Sequence, residues 1–161
     1  MPPAGYKQKD LTLVAFQVAS ALRAAGWYLR ATVIWDKKRA TEPKRLDRPS
    51  VGHEYLYLLS PSEHYAARDP GESWWGHSVW SVSPHNSVDH PATMPEELAR
   101  RCIVASTRPG DVVLDPFNGS GTTGRVALRL GRSYVGTDIS REYLAEQAVR
   151  RLDGVQMEAA L

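Results

Sequence analysis

"VVLDPFNGSGTTGRVALRLGRSYVGTDIS", residues 112–140, decides the reading of this chain. An apolar run ends in an acid, Asp115. A Pro-aromatic corner, a loop of small residues and a helical segment follow, and a second apolar run ends in Asp138. Gly119 and Gly121 lack a Cβ, so backbone there can press against a ligand or adopt positive φ. Ser120, Thr122 and Thr123 supply hydroxyls, and the loop leads into a helix N-terminus with free N–H groups. A P-loop needs Lys after the second glycine, where Thr122 stands. "GSGTTG" does satisfy the G-x-G-x-x-G spelling of dinucleotide sites, with Gly124 last. The preceding acid separates the remaining readings. Asp115 at a strand end would repel a pyrophosphate but attract the ammonium of a methionine moiety, which favours S-adenosylmethionine over NAD. Asp138 ends the next strand, where a carboxylate grips ribose hydroxyls.

Working outward, Pro95 opens a predicted helix, "PEELARRCIVAS", with Glu96 and Glu97 at its positive end. Helices are expected at roughly 122–130 and 140–152, and strands at 111–115 and 133–137. This strand–helix–strand–helix order implies parallel strands and right-handed crossovers. Upstream, Leu11, Val14, Ala15, Val18 and Leu22 fall on one face of a helix predicted over 10–25. Strands are predicted at 28–35 and 54–60, with a further short one at "EHYAA", 63–67. Residues 69–89 hold three Trp without periodicity and read as a long loop.

Composition bounds the rest. The 161 residues suffice for one domain. No apolar run approaches the roughly 20 residues of a membrane span. The N-terminus lacks the apolar stretch of a signal peptide, and Cys102 stands alone, without a disulfide framework or a zinc cluster. No metal site is expected, and a cytoplasmic setting is. The net charge is only +2, but residues 37–48, "KKRATEPKRLDR", set six basic residues against two acids. Such a run reads either as a solvated loop or as a phosphate-binding patch.

The stretch "VLDPFNGSGTT…YVGTDIS" resembles the cofactor motif of the β-class DNA amino-methyltransferases, which modify the exocyclic amine of cytosine or adenine. "HPATMPEELARRCI", 90–103, is similar to the family's other cofactor motif, and residues 26–65 to the segment after its catalytic loop. The resemblance covers roughly residues 6–152. It implies an α/β, Rossmann-like methyltransferase fold, a mostly parallel sheet with helices on both faces, incomplete at its N-terminal side. Residues 1–161 would form one domain, with target-side strands and a recognition loop over 28–89 and a cofactor-binding half over 90–152. By the same resemblance, S-adenosylmethionine would be held by Asp115, Pro116, Phe117, Asn118, Gly119, Ser120, Gly121, Thr122 and Asp138. His90, Ala92 and Pro95 would shape the far wall of the methionine pocket. The partner would be double-stranded DNA, contacted by Lys37, Lys38, Arg39, Lys44, Arg45 and Arg48. Trp35, His53 and Glu54 match the family's strand–loop–strand pattern near the target base. Trp74, Trp75 and Trp80 could stack on nucleic acid or fold into a minicore of their own.

The family's catalytic tetrapeptide, Ser/Asp/Asn-Pro-Pro-Tyr/Phe, does not occur in the 161 residues. Its polar first residue and Pro carbonyl accept the hydrogens of a weakly nucleophilic amine, and its aromatic stacks on the flipped base. Met1-Pro2-Pro3-Ala4 lacks both the polar residue and the aromatic. No catalytic residue is therefore assigned. The resemblance places the strand carrying that peptide between the strands of 111–115 and 28–35. The expectation is a site-specific DNA methyltransferase, of the kind found in restriction–modification systems, with cytosine-N4 favoured over adenine-N6. The alternatives are an inactive cofactor- or DNA-binding fragment, or a half that needs an N-terminal complementing segment or a second copy.

Overall fold

The computed structural model describes residues 11–39, 46–65, 69–84, 94–142, 144 and 148–155. His90, Ala92, Lys44 and Arg45 lie outside the described residues. The elements run α1 (Val14–Ala24), β1 (Tyr28–Asp36), β2 (His53–Ser60), a 3-10 turn (Ser73–Gly76), β3 (Val79–Ser81), α2 (Glu96–Ser106), β4 (Val112–Asp115), α3 (Thr122–Arg129), β5 (Ser133–Gly136) and α4 (Val149–Leu152).

The strands form two pieces of sheet. One has the order β2-β1-β3 and the other is the pair β4-β5. β1 pairs antiparallel with β2 over most of its length, and parallel with β3 only at Ile34–Asp36. β4 and β5 are parallel in the register Val112↔Ser133 to Asp115↔Gly136. Among the described residues, nothing pairs with β1 on its β3 side before Ile34, or with the second edge of β4. The sequence led us to expect a sheet lacking the strand between β4 and β1, and among the described residues these two pieces share no pairing.

α2 holds the pieces together. Leu98 packs with Trp35, Trp80 and Val82, and half-buried Cys102 joins that cluster. Ala99 and Ile103, on the adjacent stripe, pack with Val126 and Ala127 of α3, and with Val113 and Tyr134 behind them. Burial pushes the Cys102 thiol up to about 11, so it serves as a small hydrophobe. Arg132 closes the C-terminal end of α2. Its guanidinium donates to the Thr107 carbonyl at 2.9 Å and the Thr107 hydroxyl at 3.1 Å, where cationic charge suits a helix C-terminus. At the other end, Glu96 reaches Arg129 of α3 at 2.7 Å and Arg125 at 3.4 Å.

Three expectations are corrected. Residues 63–65 are not a strand; the rest of that call lies outside the described residues. The loop at 69–89 contains the 3-10 turn and β3, because residues 79–81 find a partner in β1, which periodicity cannot reveal. In α1 the covered side is not the expected stripe. Ala19 is buried and Phe16, though 43% exposed, sets its ring edge-on to Tyr55 at 4.9 Å; of the expected stripe Leu22 is half-buried, whereas Leu11, Val14, Ala15 and Val18 are exposed.

The tryptophans are pinned by charge. Arg100 grips Glu72 with two hydrogen bonds, of 2.6 and 2.7 Å, and Glu97 at 2.8 Å. Glu72 also accepts the Trp74 indole N–H. Arg101 lies over the Trp74 and Trp80 rings. Trp80 is core and Trp74 packs on it, which is the minicore reading. The Arg100 guanidinium holds Glu72 down from its ordinary 4.5 to about 2. A depressed folded-state pKa gives stability that is fully present above pH 4.5 and is lost as pH falls from 4.5 to about 2. The Glu72 side chain is 36% exposed, which limits the effect to about 0.2–1 kcal/mol. Glu72→Gln should flatten that part of the acid limb in urea unfolding measured against pH; an acid limb identical to wild type would remove the pair from the stability account.

Candidate functional site

The site lies at the C-terminal ends of β4 and β5. Their pairing sets Asp115 opposite Gly136, so Asp138, two residues further on, reaches the loop that follows β4. Gly119 at φ +51° and Gly121 at φ +80° take the left-handed backbone that the sequence reserves for glycine. A Cβ on Gly121 would also press on Ala148 at 3.3 Å. Gly121 is the N-cap of α3 and accepts the Arg125 N–H at 3.0 Å.

The loop is stitched to the end of β5. The Asn118 N–H donates to the Thr137 carbonyl at 2.9 Å, and the Thr137 N–H to the Asp115 carbonyl at 2.9 Å. The Gly119 N–H donates to Asp138 Oδ2 at 2.8 Å. The Ser140 N–H donates to Asp138 Oδ1 at 2.9 Å. These backbone donors, that of Ser140 first, hold the Asp138 carboxyl below its ordinary range. The Asp115 carboxylate accepts the Phe117 N–H at 3.0 Å. Each carboxylate oxygen has further lone pairs, so both acids can still accept from a ligand.

Apolar surface accompanies the acids. Phe117 is 86% and Ile139 106% exposed. They stand after β4 and after β5, where a crevice outside the carboxyl ends of parallel strands takes ligands. A neighbouring cleft is lined by Val82, Pro84, Pro95, Glu96, Thr122 and Arg125. It brings Pro95 beside Thr122, two of the residues the resemblance assigned to the same cofactor.

The basic residues are divided. The Lys37 ammonium pairs with Glu54 and lies 5.0 Å from the Trp35 ring centroid, with its side chain 11% exposed. Lys38 and Arg39 are exposed. Arg48 pairs with its neighbour Asp47 at 3.3 Å. Trp35 is core, donating its indole N–H to the Val82 carbonyl at 2.7 Å.

Sequence reasoning passed over Tyr134, Thr137 and Ile139. Tyr134 had a signal: glycines at 124 and 136 flank it in space. A Cβ on Gly124 would run into the Tyr134 ring, and one on Gly136 would come within 2.9 Å of its hydroxyl and 2.5 Å of Asn118 Oδ1.

Residues 7–150 match the N6/N4 family model described as DNA methylase. The chain belongs to that family. It is 43% identical over 161 residues to the Type II methyltransferase M.Cfr9I of Citrobacter freundii, covering 94% of this chain and 53% of that protein. It is 40% identical over 163 residues to the Type II methyltransferase M.SmaI of Serratia marcescens, covering 92% and 56%. The chain therefore spans about half the length of these relatives. Among solved structures, the PvuII DNA methyltransferase, described as cytosine-N4-specific, aligns with a TM-score of 0.74 at 22% identity, over 92% of this chain and 61% of that one. The M1.HpyAVI–SAM complex aligns with a TM-score of 0.72 at 24% identity, over 89% and 71%. The α/β, Rossmann-like methyltransferase fold expected from the sequence is thus the fold of this chain.

Gly124 offers a test in which the sign decides. Alanine inside a helix normally gains about 1 kcal/mol over glycine. Forcing a methyl against the Tyr134 ring costs about 1–3 kcal/mol. Gly124→Ala should lose stability in urea unfolding; a stabilised variant would mean that the ring does not hold its place.

Proposed function

We propose that this chain is the cofactor- and target-side part of a DNA amino-methyltransferase that moves a methyl group from S-adenosylmethionine to the exocyclic amine of a base. The observation that carries the reading is the pair of carboxylates, Asp115 and Asp138, at adjacent parallel strand ends around a positive-φ glycine loop. The site fits the cofactor. Asp115 suits an ammonium, Asp138 suits ribose hydroxyls, and exposed Phe117 and Ile139 suit the faces of a flat purine. Asn118, Gly119, Ser120, Gly121 and Thr122 form the cradle, with Pro116 as its corner and Pro95 in the adjoining wall. His90 and Ala92 are assigned to the same wall by resemblance. S-adenosylmethionine supplies the electrophilic methyl group when bound; the chain's own residues orient it and keep the loop in shape.

The target side is assigned to residues 28–89 and the cofactor side to 90–152, within one domain of 161 residues. Double-stranded DNA is the partner. Exposed Lys38 and Arg39, with Arg48, Lys44 and Arg45, are the phosphate contacts; Lys37 joins them only by releasing Glu54. Cytosine-N4 is favoured over adenine-N6 by the "HPATMPEEL" spelling. The Type II names of the relatives fit a role in restriction–modification. Among the described residues no helix is long and apolar enough to cross a membrane.

A second reading rests on the split sheet. The edges of β1 and β4 lack partners among the described residues, and Val112 and Leu114 of β4 and Val135 of β5 are 49–64% exposed. These features support a half that receives a complementing segment, supplying the absent tetrapeptide and a strand between β4 and β1.

For the cofactor, calorimetric titration with S-adenosylmethionine should show Asp115→Ala weakened by about tenfold to a hundredfold, the loss of a charge-assisted bond of roughly 1.5–3 kcal/mol. Unchanged affinity in both Asp115→Ala and Asp138→Ala would sink the assignment. For catalysis, the 161-residue chain alone should transfer no labelled methyl group to DNA, because its sequence lacks the tetrapeptide that would polarise the acceptor amine. Adding a segment ending in Ser-Pro-Pro-Tyr should raise the melting temperature and activity together. Transfer by the chain alone, above a no-protein control, would show that another residue takes the tetrapeptide's part.

A further inference from the structure

We infer that Tyr134 is a positioning residue for the cofactor loop, acting through Asn118. The inference rests on the cofactor reading above. Its hydroxyl donates to Asn118 Oδ1 at 2.6 Å, and the same amide donates through Nδ2 to the Gly119 carbonyl at 2.9 Å. Asn118 is 5% exposed, so its amide has little water to turn to. The relay fixes both ends of the peptide that bears Gly119: Asn118 holds its carbonyl, and Asp138 its N–H. The Asn118 carbonyl also accepts the Gly121 N–H at 2.9 Å. One side chain of β5 thereby sets the orientation of the two glycines on which the cradle depends.

Two observations point the same way. Gly124 and Gly136 leave the space that the tyrosine ring and hydroxyl fill. Burial pushes the Tyr134 hydroxyl upward, and Asp115 adds to the push by its charge and by a hydrogen bond with the same hydroxyl, so the group remains a donor. A phenylalanine would fill the same volume, which leaves the hydroxyl as a polar group whose place is set by Asn118.

The relay separates positioning from packing. Tyr134→Phe keeps the ring under Gly124 and removes only the hydroxyl, with its bond to Asn118 and its interaction with Asp115; the Asn118→Ala background separates the two. Amide hydrogen exchange at Gly119 and Gly121 in the ligand-free chain, and calorimetric affinity for S-adenosylmethionine, should be measured for Tyr134→Phe, Asn118→Ala and the double variant. Exchange should quicken at both glycines in Tyr134→Phe, and affinity should fall about threefold to tenfold, the size of one hydrogen bond. In the Asn118→Ala background, removing the hydroxyl should change neither reading further. A Tyr134→Phe chain that only melts earlier, with exchange and affinity at wild-type values, would overturn the inference. Faster exchange at unchanged affinity would overturn the link to the cofactor. A wild-type chain that binds no S-adenosylmethionine would overturn the cofactor reading and this role with it, while the exchange rates would still report whether the relay holds the loop.

Discussion

The structure depends on one helix having two apolar sides. Leu98 and Cys102 stand four residues apart, as do Ala99 and Ile103, so each pair makes its own stripe on α2. The first stripe meets the β2-β1-β3 piece and the second meets α3 and the β4-β5 piece. The two pieces share no strand pairing among the described residues. Their joint core therefore runs through α2, with Met94 just before it touching both clusters. The charges at its ends serve this position. Glu96 ties its first turn to α3, and Arg132, just before β5, holds the carbonyl of its C-cap residue Thr107. The small residues at 99 and 105 are consistent with close approach, since a buried alanine keeps neighbouring backbone near.

From that bridge the site follows in short steps. α2 buries α3; α3 begins at Gly121; and Gly121 ends a loop whose other end leaves β4 at Asp115. The loop cannot drift, because β5 holds it at Tyr134, Thr137 and Asp138. Asp138 has two tasks in this arrangement. It accepts the Gly119 N–H, and it presents a carboxylate at the strand end. Preorganisation of this kind lowers the ordering cost that a ligand would otherwise meet.

The features legible in the sequence were those with local causes. The glycine loop was readable because positive φ and close approach demand particular residues at particular positions. The start of α2 was readable from Pro95 and the two acids that follow it. The unreadable features depended on distant partners. Residues 79–81 become a strand only by meeting Ile34–Asp36. α1 carries apolar residues on two sides, and the pattern alone does not tell which side finds a neighbour; Phe16 and Ala19 do, Val14 and Val18 do not. The tryptophans were ambiguous for a similar reason. Trp80 is buried among Trp35, Val82 and Leu98, and Trp74 is held by Glu72, itself gripped by Arg100 28 residues away in sequence. Tyr134 looked like an ordinary strand residue until Asn118 was seen beside it.

The exposed apolar surface has a coherent place in this scheme. Residues 112–114, Val-Val-Leu, form a continuous apolar run, the mark of a parallel strand buried on both faces. Val113 is covered by the α2–α3 side, but Val112 and Leu114 point the other way and are 62% and 64% exposed. Among the described residues neither the second edge of β4 nor β1 before Ile34 has a strand partner on that side, and an open edge is a template for another strand. The hydrogen bonds that shape the cofactor loop come from β4, β5 and the residues that follow them, so they are complete without anything at those edges. The acceptor side of the proposed reaction is different: the tetrapeptide that would take the hydrogens of a weakly nucleophilic amine does not occur in the 161 residues. On the proposed reading, holding the methyl donor and using it are separable demands: the first rests on the loop and acids of the β4–β5 unit, and the second on a complementing segment.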